Sequence, residues 1–296
     1  MKEKSCVVLL STYNGEKYLD QQLESLIAQN GVRLSILIRD DGSSDGTIGI
    51  LKRYQKKYKN IKVVFGKNIG YAKSFWWLLQ NSGKFDYYAF CDQDDVWLPD
   101  KIFRAVTVLE KNDPKEPLLY TSNVVPVDDN MNRLRTNTFK ENRVLSVYES
   151  FQKSILPGCT FVFNSVAREI AMQYNGYMEF HDWCLYVIVN VFGTVLFDKE
   201  SKIKYRVHAD NVVGQKKGMR ELSLKIKRFF KKSICSRSRF AHDFYEQYKN
   251  ELPSRYKKSI MDLAYYRNDA RCKKDLLFSR DFVGTKFKVL VLLNRV

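Results

Sequence analysis

Of 296 residues, 45% are hydrophobic and 28% charged, which supplies a core that needs no disulfide staples and excludes a wholly disordered chain. The net charge of +17 is unevenly spread: residues 1–214 carry 28 basic and 25 acidic side chains, and residues 215–296 carry 22 and 8. This predicts a nearly neutral body, 1–214, and a basic extension, 215–296, suited to an anionic surface.

The apolar run Cys6–Leu10 ends in a polar turn without a small-residue cleavage site, so it reads as a buried first strand and not as a signal peptide. No apolar run is long enough for a spanning helix. Past Ser11–Gly15, the residues Tyr18, Leu19, Gln22, Leu23, Leu26 and Ile27 fall at helical spacing. Leu34–Ile38 is a second strand, followed by the acidic Asp40–Gly46 and a helix through Ile48, Leu51 and Tyr54. A third unit comprises Ile61–Phe65, Lys67–Gly70 and a helix to Leu79. A fourth comprises Tyr87–Cys91, Asp92–Asp95 and a helix with Pro99 in its first turn, running to about Glu110. Such alternation implies βαβ crossovers and an α/β fold with a mostly parallel sheet and flanking helices. Ligands of such sheets sit beyond the carboxyl ends of the strands, and each polar cluster (Thr12–Asn14, Asp40–Ser43, Asn68–Gly70, Asp92–Asp95) follows a strand.

Farther on, Leu118–Val127 reads as one strand, Asp128–Asn142 as a polar loop and Cys159–Phe163 as a short strand after the Pro157–Gly158 turn. An apolar helix opens at His181 and runs to about Val191, and Thr194–Phe197 with Ile203–Val207 reads as a closing strand pair. From about residue 215 the chain reads as helical and basic. Six cysteines (Cys6, Cys91, Cys159, Cys184, Cys235, Cys272) form no CxxC pair; a zinc or redox motif has no local support, and a reducing cytoplasm is expected.

Cys91-Asp92-Gln93-Asp94-Asp95 places three carboxylates within four positions. A hard divalent cation, Mn²⁺ or Mg²⁺, with phosphate and water completing its shell, relieves their repulsion. The plain alternative is an acidic turn capping the next helix. In Asp40-Asp41-Gly42-Ser43-Ser44-Asp45-Gly46-Thr47, Asp40 and Asp41 suit a base imide or a ribose hydroxyl, and Asp45 or Ser44 suits a helix cap.

In their order, STYNGEKYL, RDDGSSDGT, KNIGYAKSF and CDQDDVWLPDK resemble family-two glycosyltransferases of the GT-A fold (nucleotide-diphospho-sugar transferase, Rossmann-like), and among them bacterial rhamnosyltransferase-like members, over about residues 5–215. The resemblance implies transfer of a sugar from a nucleotide-sugar donor to a saccharide or lipid-linked acceptor in cell-surface polysaccharide biosynthesis. Thr12, Tyr13 and Asn14 would line the nucleotide pocket, Asp41 with Asp40 would meet the base, and Asn68 and Gly70 would pack near ribose and phosphates. Asp92 would contact ribose or metal-bound water, Asp94 would be the main metal ligand with Asp92 beside it in the metal set, and Gln93 would belong to the nucleotide-sugar site. Asp182 would be the base of an inverting displacement; family members commonly read Glu-Asp here, and this chain reads His181-Asp182. A helix N-cap is the plain reading of Asp182.

His208, a third metal candidate, and Arg206 would approach the metal or diphosphate; a hydrogen-bonded structural residue is the plain reading of His208. Gly158 would sit on the acceptor side, and Trp97 and Trp183 would stack on sugar faces or pack in the core. The QxxRW signature of processive synthases is not visible. The rhamnosyltransferase likeness implies dTDP-L-rhamnose as donor, with UDP-hexoses the alternative. Lys225–Lys232, lysines interleaved with apolar residues, suits an anionic membrane. The enzyme would then be cytoplasmic, peripheral on the inner face of the bacterial plasma membrane. The plain reading, compatible with this, is a helical hairpin that covers the body through Tyr245, Tyr248, Leu263 and Tyr266. A basic nucleic-acid-binding protein is the non-enzyme alternative; it is disfavoured because the acidic strand ends repel phosphate and the positive charge lies elsewhere.

Overall fold

The computed structural model describes residues 3–135, 143–207, 236–282, 284–294 and 296. His208, Cys235 and Lys225–Lys232 lie outside the described residues.

The first four units form as their patterns dictate: β1 (Ser5–Thr12), α1 (Glu16–Ile27), β2 (Arg33–Asp40), α2 (Thr47–Lys57), β3 (Ile61–Phe65), α3 (Tyr71–Asn81), β4 (Tyr87–Cys91) and α4 (Lys101–Leu109). A two-residue strand, β5 (Val96–Trp97), precedes α4. Then come β6 (Leu118–Ser122), β7 (Val125–Val127), α5 (Val147–Gln152), a 3-10 turn at Gly158–Thr160, β8 (Val162–Asn164), α6 (Ser165–Met172), α7 (His181–Phe192), β9 (Thr194–Asp198) and β10 (Ile203–Arg206). Four described C-terminal helices follow: α8 (Ser236–Tyr248), α9 (Ser254–Tyr265), α10 (Ala270–Phe278) and α11 (Thr285–Leu292).

Seven strands form one sheet in the order β3-β2-β1-β4-β8-β6-β9. Every neighbouring pair is parallel except the two made by β8, which runs against β4 and β6. Strand alternation divides the core between the two faces. Val7 and Leu9 face Phe75, Leu79, Trp183 and Ile188. Cys6, Val8 and Leu10 face Leu19, Leu23, Ile102 and Leu109. The C-terminal helices extend the first face: Phe240 packs on Trp183 with ring centroids 4.4 Å apart, and Phe244 on Phe151 at 5.3 Å. Tyr248, Leu263 and Tyr266 are buried there, and Tyr245 is half-buried.

Several late elements differ from expectation. Leu118–Val127 is two strands in two sheets, because Asn123 turns away from β6 to bond the carbonyls of Asp198 and Lys199. Cys159 lies in the 3-10 turn and not in a strand. β9 and β10 do not pair with each other: β9 joins β6, while β10 joins β5 and β7 in a separate three-stranded sheet. Asp100 is the N-cap of α4, leaving Pro99 just before the helix. The sequence reading missed β5, α5 and α6. Ser146-x-x-Glu149 is a capping box that marks α5, and Asn164 caps α6 by accepting from the Ala167 N–H.

Phe240→Ala should cost about 3–5 kcal/mol by the usual penalty for emptying a buried aromatic site. Urea unfolding of the whole chain, read as a lower midpoint at constant slope, measures it.

Candidate active site

Thr12, Asp40 and Cys91 end β1, β2 and β4, so the polar loops that follow them share the carboxyl edge of the sheet. The loop after β2 is organised by its own acids. Asp40 is 1% exposed. It accepts from the N–H groups of Gly42 and Ser43 at 3.1 and 2.9 Å, and from the hydroxyls of Thr12 and Ser43. Four bonds fill the usual acceptor capacity of a carboxylate. Asp40 therefore builds the loop instead of meeting a base, and the buried Thr12 side chain belongs to the same knot. Asp41 pairs with the Arg39 guanidinium and accepts from the N–H groups of Ile69 and Gly70, both at 2.9 Å. It thereby fixes the loop after β3. Gly70 has φ 84°, a left-handed conformation that suits glycine, and its N–H also meets Asn68 Oδ1 at 3.2 Å.

The loop after β1 is clamped to the acidic corner. The Gln93 side-chain amide accepts from the Tyr13 N–H at 2.9 Å and donates to the Tyr13 carbonyl at 3.1 Å, leaving the Tyr13 ring 49% exposed. Asn14, with φ 48°, accepts from the Ser44 N–H at 2.8 Å. Asp95 is fully buried and accepts from the Arg206 N–H at 3.1 Å. Arg206 is not poised for a diphosphate. Its guanidinium donates to the carbonyls of Asp94 (2.8 Å) and Asp129 (2.7 Å) and to Gln21 Oε1 (2.7 Å), and lies 4.5 Å from the Tyr18 ring centre.

This corner fits a divalent cation. Ligand atoms of Asp92, Asp95 and Cys159 lie within 4.8 Å of one another, and Asp95 Oδ2 has no hydrogen-bond partner among the described residues. Burial, then the charges of Asp94 and Asp182, push Asp92 up to about 8; burial and the charges of Asp94 and Asp92 push Asp95 well above the carboxylate range. Buried carboxylates crowded together, whose charged forms are disfavoured, are the condition a bound cation relieves. The converging set contains Asp95, where the sequence had singled out Asp94, which sits half-buried beside it.

Asp182 lies in the first turn of α7. Burial raises its pKa to about 6, partly offset by the N–H groups of Trp183, Gly158 and its own residue; the Trp183 N–H donates to it at 2.7 Å. Its charge acts on Asp92. A Cβ on Gly158 would fall 2.7 Å from the Asp182 Cβ, so only glycine lets this carboxylate seat. His181 stacks on Phe75, centroids 3.9 Å apart, and burial lowers its pKa to about 3; it is a neutral core ring. Neither tryptophan offers a face to a sugar. Trp183 is 0% exposed and donates from Nε1 to the Ser150 carbonyl, and Trp97 is 2% exposed beneath the Lys101 ammonium. A groove lined by Asp20, Glu24, Arg53, Tyr54 and Lys57 contains none of these loop residues; within it Arg53 pairs with Asp20 and the Tyr54 hydroxyl donates to Glu24.

Glycosyl transferase family 2 matches residues 7–171, more than half of the chain. The chain belongs to this family. It is 31% identical over 221 residues to the dTDP-rhamnosyl transferase RfbG of Shigella flexneri, covering 69% of this chain and 73% of RfbG. It is 30% identical over 213 residues to an uncharacterized glycosyltransferase of Haemophilus influenzae, covering 69% of this chain and 65% of that relative, just under two thirds of its length. Among solved structures, S. aureus TarS (residues 1–349, with UDP-GlcNAc) superposes with a TM-score of 0.61 at 16% identity over 98% of this chain and 79% of TarS. The Pyrobaculum calidifontis mannosyltransferase PcManGT, in complex with GDP-Man and Mn²⁺, gives 0.55 at 15% identity over 99% and 79%. The family 2 chain is thus a rhamnosyltransferase-like glycosyltransferase with the GT-A fold. Among the described residues no helix is long and apolar enough to cross a membrane.

Two measurements probe this geometry. On the reading of Asp182 as a general base, kcat should fall as pH drops through about 6 and level off above it. Gly158→Ala should displace Asp182 and, on the same reading, lower kcat by about tenfold or more, with donor affinity retained in equilibrium titration.

Proposed function

We propose that the protein is an inverting, metal-dependent transferase that moves L-rhamnose from dTDP-rhamnose to a saccharide or lipid-linked acceptor in cell-surface polysaccharide synthesis. The observation that carries this reading is the pairing of two acidic stations at one cleft. The Asp92–Asp95 corner, after β4, suits a cation and the donor diphosphate. Asp182, on the first turn of α7, suits an acceptor hydroxyl. The likeness to RfbG supports the choice of donor.

Asp94 and Asp92, with Asp95 beneath them, would hold Mn²⁺ or Mg²⁺. When bound, the ion neutralises the diphosphate leaving group. Tyr13, Asn14, Asn68, Gly70 and Gln93 line the donor side, on loops that Asp40 and Asp41 hold in register. Asp182, ionised near neutral pH, takes the acceptor proton as the hydroxyl attacks the anomeric carbon opposite the diphosphate, a single displacement that inverts the centre. Gly158 borders the acceptor side. Residues 1–214 form the transferase unit. The basic extension, 215–296, brings it to the anionic inner face of the plasma membrane, where a lipid-linked acceptor resides.

A thermal-shift screen of dTDP and UDP sugars with Mn²⁺ should give a selective rise for dTDP-rhamnose by binding linkage; a rise confined to UDP-hexoses would replace the donor. Asp94→Ala should abolish both the metal-dependent shift and transfer. Asp182→Asn should bind donor with wild-type affinity and lose at least about 10²-fold in kcat; full turnover by this variant would remove Asp182 as the base.

A further inference from the structure

Tyr71 stands between the two acidic stations, and no role above uses it. It opens α3 directly after Gly70, whose N–H is tied to Asp41. Its position is therefore set by the donor-side loops. Its hydroxyl donates to the Glu179 carbonyl at 3.3 Å, three residues before Asp182. Its ring tilts against Phe180 (centroids 6.0 Å) and meets His181 edge-on (6.4 Å). One aromatic side chain thus bridges the donor loop and the start of the base-bearing helix, and it remains 37% exposed. Burial raises the pKa of its phenol, and the charges of Asp182, Glu179 and Asp92 add to the rise.

In an inverting displacement the sugar lies between the leaving diphosphate and the attacking hydroxyl. On the functional reading given above, that is the space between Asp92 and Asp182, which Tyr71 borders. We propose that Tyr71 is a wall of the transferred-sugar subsite: its ring, held against Phe180 and His181, packs against a C–H face of the donor sugar. A flat, amphipathic ring backed by Phe180 and His181 is suited to such a contact, since tyrosine offers large apolar area with a polar edge at low entropic cost.

The test separates the sugar from the nucleotide. Calorimetric titrations of the full chain with Mn²⁺ would compare dTDP with dTDP-rhamnose and UDP with UDP-glucose. Tyr71→Ala should leave the affinity for the nucleoside diphosphate within about twofold and weaken the sugar nucleotide by about tenfold, the upper range of one aromatic contact. It should also shift product from transfer toward free sugar. Tyr71→Phe, which keeps the ring, should stay within about threefold for both ligands. Should Tyr71→Ala fold poorly, Tyr71→Leu replaces it and should show the same split. Equal weakening of nucleoside diphosphate and sugar nucleotide, or no change in either, overturns the proposal while leaving the transferase reading intact. If the wild-type chain binds none of the four ligands, the donor reading fails and this proposal falls with it.

Discussion

The constraint on which the site depends is the crowding of like charge at the end of β4. Asp92, Asp94 and Asp95 follow a fully buried strand, so their backbone cannot swing out into water to separate them. The fold answers with fixed donors. Arg206 reaches from β10 to hold the Asp95 carboxylate and the Asp94 carbonyl, while Gln93 ties the same turn to Tyr13. Repulsion that remains after this bracing is what a cation removes. The small three-stranded sheet has a purpose in this light: by pairing β10 with β5 and β7 it delivers Arg206 beneath the corner.

The neighbouring loops use a related device with the charges satisfied. Asp40 and Asp41 are buried, yet each is surrounded by N–H and hydroxyl donors, and Asp41 also has the Arg39 guanidinium. A buried carboxylate without such partners is costly. With them it becomes a rigid pin that joins the loops after β1, β2 and β3. Rigid loops matter for an electrostatic site, because preorganised groups need no rearrangement as charge develops. Asp182 is tuned differently. Burial raises it and backbone N–H groups at a helix start lower it, and the balance leaves a carboxylate whose ionisation lies close to neutral pH.

The C-terminal helices belong to the same economy of burial. α7 is apolar on nearly all sides, so it requires cover on the face turned from the sheet. Phe240, Phe244 and Tyr248 provide it, and Trp183, directly after Asp182, is locked among them. The position of the proposed base is thus fixed from behind by residues more than fifty positions later in the chain.

By itself the sequence determined the four βα units, the edge at which their loops meet and the residue types gathered there, because period-2 and period-3.6 patterns and strand-end acids are local signals. Asp182 at a helix start and Gly158 before it were legible for the same reason. Tertiary structure decided which acids serve as pins between loops. Asp41 looks like Asp92 in sequence, and only the arrival of distant N–H groups from Ile69 and Gly70 makes it a pin. It also decided that Trp97 and Trp183 face inward, that Leu118–Val127 splits between two sheets, and that the Tyr71 hydroxyl reaches the Glu179 carbonyl. Each of these depends on what lies across space, and a one-dimensional pattern carries the preference of a residue for burial or solvent but not the identity of its neighbour.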